Sequence, residues 1–232
     1  KLDVSDEAQI TEVAHQMGLI AQSGTSVPTH KKDDLPILRT RLQRPSLPAD
    51  VVHRHHLTSR IDDLLDRPLT LVSAAAGFGK STLASLWLKA WDGPHAWISL
   101  DKSDNDLRLF LSYLLAGIRN AFPGTCDKTR SLLQASHLPP VPVLSRYLLN
   151  DLNQIEVFFV LVLDDYHEIR EKAVHDLMAA FFTHPPRNLH TLILTRHDPP
   201  LLTSILRSRG QVNEIGTSDL QFTTEETANF LK

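Results

Sequence analysis

Three short stretches carry the residue types from which phosphate chemistry is built. The first is Ala74-Ala75-Ala76-Gly77-Phe78-Gly79-Lys80-Ser81, followed by Thr82. It matches the pattern G-x-x-x-x-G-K-[ST] in all but its first position. Such a loop of small residues lets successive backbone N–H groups point inward at a polyphosphate, and the helix behind it adds the positive end of its dipole. Gly77 and Gly79 supply the backbone freedom. Lys80 is then placed to neutralise β- and γ-phosphates, and the Ser81 hydroxyl to coordinate Mg²⁺. Ala74 stands where the pattern has its first glycine, so that position must accept a Cβ. The alternative is an ordinary glycine-containing strand-to-helix turn; an apolar strand before the loop and an amphipathic helix after it argue for the phosphate site.

The second stretch is Val160-Leu161-Val162-Leu163-Asp164-Asp165, an apolar run ending in two carboxylates. At the carboxyl end of a central strand, Asp164 can hold the Mg²⁺ hydration shell opposite Ser81, and Asp165 can orient or deprotonate an attacking water. Two carboxylates that only end a strand and cap the next helix are the other reading. The third is Leu192-Ile193-Leu194-Thr195-Arg196. A guanidinium at that place can distinguish a triphosphate from a diphosphate through charge-assisted hydrogen bonds to the terminal phosphate; a surface arginine paired with Asp198 is the alternative.

Other chemically able residues lack a constellation. His53-Arg54-His55-His56 has no carboxylate or cysteine at ligand spacing, and neighbouring side chains diverge, so a solvated helix entry is the simpler reading. His167 either contacts a phosphate or water or is a hydrogen-bonded structural histidine. Trp87, Trp91 and Trp97 lie on or beside apolar faces and read as core. Cys126 has no histidine and carboxylate arrangement around it, and a single cysteine excludes both an internal disulfide framework and a cysteine-based zinc site.

These stretches need a scaffold that brings them together. Short apolar runs at Leu69 to Ser73, His95 to Ser99, Val157 to Leu163, His190 to Thr195 and, more weakly, Gln211 to Ile215 read as strands. Between them, helical spacing of apolar residues predicts helices near Leu57 to Leu65, Lys80 to Trp91, Leu107 to Ile118, Val143 to Leu152, Val174 to Phe182 and Leu201 to Arg207. Strands apolar throughout are buried on both faces, and helical crossovers force parallel pairing. The fold expected is therefore α/β, a three-layer sandwich around a five-stranded, mainly parallel sheet. Ligands in such sheets bind outside the carboxyl ends of the strands, where all three stretches lie. A strand between the P-loop and the Asp-Asp strand in sequence leaves room for an additional strand between those two in the sheet, the arrangement of P-loop NTPases with an extra central strand.

The 232 residues suffice for one full domain, and a chain 42% hydrophobic and 22% charged is ordinary globular material. The formal net charge of −3 supplies no bulk positive field, which argues against this segment itself reading nucleic acid. The longest apolar run, Val157 to Leu163, is far below the ~20 residues that cross a bilayer. Residues 1–35 read as an N-terminal extension, with a helix over Ala8 to Ile20 and a polar linker over Ser23 to Asp34, and 36–232 as the P-loop domain. Lys1 at the start, and a capping box at Thr223 to Glu226 opening a helix that runs into Lys232, suggest part of a longer protein.

Several segments in order resemble LuxR regulators of the MalT type, which belong to the signal-transduction ATPases with numerous domains. They are Leu38-Arg39-Thr40-Arg41-Leu42 with Arg44-Pro45 and Leu47-Pro48; Val52-His53-Arg54; the Ala-Gly-Phe-Gly-Lys-Ser-Thr loop; and Ala96-Trp97-Ile98-Ser99-Leu100-Asp101 through Asp104-Asn105-Asp106. Leu163-Asp164-Asp165-Tyr166-His167, Thr195-Arg196 with Asp198-Pro199-Pro200, and Asp219-Leu220 with Phe222-Thr223 and Glu225-Glu226 complete the set. The resemblance covers about residues 36–232. It implies a cytoplasmic switch: an ADP-bound resting form, exchange to ATP with an inducer, self-association of the ATP form, and slow hydrolysis that resets it. It also implies that Val52 and Arg54 border the adenine, that Ala74 is tolerated, and that DNA is contacted only through a C-terminal domain absent here. Two other functions compete: phosphotransfer to a small acceptor, for which no lid segment is found, and a nucleotide-binding scaffold without turnover.

Overall fold

The computed structural model describes residues 37–230 apart from 49 and 202, all within the unit Leu35–Lys232. The helix and linker expected upstream of residue 35 lie outside the described residues. A 3-10 turn (Arg39–Leu42) precedes α1 (His55–Asp62), β1 (Leu69–Ser73), α2 (Lys80–Ala90) and β2 (His95–Ser99). After a second 3-10 turn (Lys102–Asn105) come α3 (Leu107–Ala121), α4 (Asp127–Leu133), α5 (Val141–Leu152) and β3 (Phe159–Asp164). A third 3-10 turn (Tyr166–Glu168) leads to α6 (Lys172–Thr183), β4 (Leu189–Thr195), α7 (Thr203–Ser208), β5 (Val212–Ile215), α8 (Thr217–Leu220) and α9 (Thr224–Phe230).

The five strands form one sheet in the order β2-β3-β4-β1-β5, and every pairing is parallel. A strand does stand between the P-loop strand β1 and the Asp-Asp strand β3. It is β4, later in the chain; His95–Ser99, which lies between the two motifs in sequence, is the edge strand β2. Burial accounts for the choice. All residues of β3 and β4 are buried, whereas β2 is only half-buried at both ends.

Strand alternation divides the core between the faces. Leu69, Leu71, Phe159, Leu161, Leu163, Leu189 and Ile193 pack with the apolar stripes of α3, α5 and α6. Val72, Val160, Val162, Leu192 and Leu194 pack on the other face with Leu57, Ile61, Leu83 and Trp87 from α1 and α2. At the amino end of the sheet His190 lies between the Arg67 carbonyl, 2.7 Å from Nδ1, and Thr70 Oγ1, 3.0 Å from Nε2. Because a carbonyl only accepts, Nδ1 carries the proton, and burial lowers this histidine's pKa to about 4, so the ring is neutral.

Leu161 is fully enclosed in β3, an interior strand of the sheet. Leu161→Ala should cost ~2–5 kcal/mol of stability, read as a lower midpoint in urea unfolding; an unchanged midpoint would contradict this packing.

Candidate functional site

β1 delivers the chain into the loop at the carboxyl edge of the sheet. Ala74 is buried and its amide donates to the Thr195 carbonyl at 3.2 Å, continuing the β1–β4 pairing. Its backbone needs no left-handed conformation, since Cys126 and Asp165 are the non-glycine residues with positive φ among those described. A Cβ is therefore accommodated where the general motif has glycine. Gly77 and Gly79 do require the left-handed region, with φ +85 and +76. Gly79 is the N-cap of α2 and supplies no side-chain cap, so the first N–H groups of that helix are not taken up by a capping side chain.

The Lys80 amine folds back onto its own loop, donating to the carbonyl oxygens of Ala74 at 2.8 Å and Ala75 at 3.0 Å. Burial pushes its pKa below the ordinary lysine value; the nearby carboxylates of Asp165 and Asp164 oppose this, and Arg196 adds to it. Asp164, Asp165 and Arg196 therefore all lie within electrostatic reach of Lys80. The Ser81 hydroxyl donates to Asp164 Oδ1 at 3.0 Å, bridging α2 and the end of β3. Asp164 is 4% exposed, and burial is the main cause of its pKa rising to about 6.

Asp165 follows in the left-handed region, φ 56 and ψ 36, and its side chain is half exposed. Such a conformation is strained for a residue with a Cβ and persists where the surroundings fix it. His167 is nearly buried, with Nδ1 3.8 Å from Asp165 Oδ1 and Nε2 3.4 Å from Glu168 Oε1, yet neither ring nitrogen makes a hydrogen bond. Arg196, directly after β4, is exposed. Asp198 pairs with Arg207 at 2.7 Å, and no ion pair between Asp198 and Arg196 is found among the described residues.

A cavity of about 570 Å³ opens beside the loop, with three walls. One is Pro48, Asp50, Val51, Val52 and Arg54; the second is Ala76 to Gly79 with Thr82 and Leu86; the third is Leu220 to Phe222. The first and third are fastened by Arg54, a 6% exposed arginine. Its guanidinium donates to the carbonyls of Leu220 at 2.9 Å, Asp219 at 3.1 Å and Gln221 at 2.9 Å, and pairs with Glu226 at 3.2 Å. The capping box at the start of α9 forms as the sequence predicts. The Glu226 amide donates to Thr223 Oγ1 at 3.1 Å and the Thr223 amide to Glu226 Oε2 at 2.9 Å. The third wall is not evident from local sequence, because Leu220 to Phe222 lie more than a hundred residues from the loop, while Leu86, one helical turn after Thr82, reads as an ordinary apolar position of α2.

Elsewhere the histidine-rich entry of α1 has His53 and His55 stacked at 5.6 Å and His56 Nδ1 3.6 Å from Glu226. No group of three or more His, Cys, Asp or Glu able to hold a metal ion occurs among the described residues. The Cys126 thiol is buried, which pushes its pKa up to about 11 and makes it a poor nucleophile. No helix among the described residues is long and apolar enough to cross a membrane.

An all-parallel sheet with a glycine loop, a lysine and two carboxylates at its carboxyl edge defines an α/β protein of the P-loop NTPase class. No family model matches the chain. Over 194 residues, 84% of the chain, it is 36% identical to the HTH-type transcriptional regulator MalT of Serratia proteamaculans and 34% identical to that of Yersinia enterocolitica. It spans about a fifth of the length of these relatives, 21% of each. Over the stretch it shares with them, the chain is similar to the MalT-type HTH regulators. The fold is also that of a signal transduction ATPase with numerous domains from Pyrococcus horikoshii, which carries a tetratricopeptide repeat sensor. That structure has a TM-score of 0.54 at 17% identity, covering 84% of this chain and 27% of the other.

The raised pKa of Asp164 has a consequence for stability. The folded state holds this proton more tightly than the unfolded chain, so the carboxyl's contribution is complete below the unfolded value of 3.8 and lost as pH rises through about 6. Asp164→Asn, which keeps an acceptor for Ser81 without the charge, should therefore be ~1–3 kcal/mol more stable than the parent at pH 8. The gain should vanish below pH ~4, as read by thermal melting without nucleotide or Mg²⁺. A variant no more stable than the parent at pH 8 would contradict the assignment of a carboxylate whose burial outweighs the bonds from Ser81 and the Asp165 amide.

Proposed function

We propose that the chain is the adenine-nucleotide switch module of a MalT-type transcriptional regulator, acting in the cytoplasm. The observation that carries the reading is the convergence of Lys80, Ser81, Asp164, Asp165 and Arg196 at one edge of the sheet, beside a cavity sized for a nucleoside. The amides of Ala76, Gly77, Phe78 and Gly79 cradle the phosphate chain. The Lys80 ammonium leaves its own carbonyls for the β- and γ-phosphates, and Thr82 stands at the cavity side of the same helix turn. Val52, Phe78, Leu86 and Phe222 offer apolar surface to the base, while Arg54 holds the wall behind it.

Mg²⁺ fits the residues present. Ser81 and Asp164 make a hydroxyl and carboxylate pair of the kind that holds this ion together with substrate phosphates, and no ion pair to the buried Asp164 is found among the described residues. Bound there, the ion would supply neutralisation of the phosphate charge. Asp165, half exposed at the mouth, orients the water for slow hydrolysis, and Arg196 reads the terminal phosphate. Self-association of the ATP form, DNA contact through a domain outside this segment, and the inducer that triggers exchange belong to the whole protein. A switch of this kind works only if ATP and ADP favour different conformations.

Titration of the intact protein with a fluorescent ATP analogue tests the reading. Lys80→Ala should weaken binding about 100-fold, equivalent to ~2.7 kcal/mol. Arg196→Ala should leave ADP affinity unchanged and erase the preference for ATP. Normal ATP affinity in the Lys80 variant would refute the phosphate site.

A further inference from the structure

The motif Asp104-Asn105-Asp106 is spent on three separate jobs. Asp104 is wholly buried and pairs with Arg41, whose Nε also donates to the Ser99 carbonyl at 2.8 Å. Asp106 caps α3, accepting from the Leu109 amide at 2.9 Å. Asn105, between them, faces the segment that follows the two aspartates of β3. Its Nδ2 donates to the Glu168 carbonyl at 3.0 Å and the Lys102 carbonyl at 3.0 Å. Its Oδ1 accepts from the amides of Arg170 at 2.7 Å and Glu171 at 2.8 Å. Both donors and both lone pairs of the carboxamide are thus used, and only asparagine offers that set at that length.

The bracket bears on Asp165 through one intermediate. The Glu168 amide donates to the Asp165 carbonyl at 3.0 Å, and the Ile169 amide to the Tyr166 carbonyl at 3.1 Å. Asn105 therefore grips the far side of the same short turn whose near side is the left-handed Asp165. A residue in that conformation returns to commoner backbone regions when the surroundings release it. Lys80, Ser81 and Asp164 receive none of these bonds, so phosphate binding has its own supports.

We propose that Asn105 is a positioning residue for hydrolysis: by fixing the turn at 166–171 it holds Asp165 where it orients the attacking water. This rests on the nucleotide reading above. The test compares the intact parent protein with Asn105→Ala, which loses all four bonds, and Asn105→Asp, which keeps the two accepted bonds and loses the two donated ones. ATP affinity is measured with a fluorescent analogue and hydrolysis as phosphate release in a single turnover.

Hydrolysis should fall ~10- to 100-fold in Asn105→Ala and by a smaller factor in Asn105→Asp. The Kd for Mg·ATP should stay within about twofold of the parent in both. If Asn105→Ala does not fold, Asn105→Asp alone decides. Hydrolysis at the parental rate by a folded variant would overturn the inference and leave nucleotide binding standing. So would a parallel loss of affinity, rate and melting temperature, which marks a merely structural role. A parent that binds no ATP, or binds it and releases no phosphate, would overturn the inference together with the hydrolytic part of the reading beneath it.

Discussion

The bond of the Lys80 ammonium to the carbonyl oxygens of Ala74 and Ala75 states the constraint around which this end of the molecule is arranged. A nearly buried cation must have partners, and here the loop itself provides them. Across the gap the Ser81 hydroxyl occupies Asp164. Each polar group therefore has a provisional partner that a phosphate chain and a divalent cation can replace, with little rearrangement of the strands. The strands are fixed by a parallel sheet whose three central members are buried almost throughout.

A second constraint lies at the cavity. Its walls come from Pro48, residues 50–52 and Arg54, the glycine loop with α2, and residues 220–222, so the pocket exists only when segments far apart in the chain are joined. Arg54 makes that joint with four partners of its own, and Arg60 adds a pair with Asp219 at 2.9 Å. A base seated against Val52 and Phe222 would touch both sides of the joint. A nucleotide bound there, as proposed, would couple occupancy of the site to the placement of α8 and α9 through one set of bonds, the kind of differential contact needed to bias a conformation.

What was legible in the sequence follows from range. The glycine loop, the Asp pair and the arginine after β4 are local patterns at strand ends, and the fully apolar strands announced a parallel sheet. The order of strands was not written locally. β2 adjoins the loop in sequence yet lies at the edge, because burial on both faces selects β3 and β4 for the centre. The strand expected from Val157 begins at Phe159, since Asn188 holds the Ile155 and Glu156 carbonyls at 3.1 and 2.9 Å and Val157 is exposed. Helix α4 gave little periodicity; it is anchored by Asp151 of α5, which accepts from the Thr129 amide and hydroxyl at 2.8 and 2.7 Å. The roles of Arg54 and Asn105 were equally hidden, as both act through backbone groups far away in the chain.

A crystal structure of the intact protein with Mg²⁺ and a non-hydrolysable ATP analogue tests the central claim most directly. The triphosphate should lie at the carboxyl ends of β1, β4 and β3, with the Lys80 amine moved off the Ala74 and Ala75 carbonyls onto phosphate oxygen. An analogue bound elsewhere, or one bound with the lysine still seated on its own loop, would contradict it.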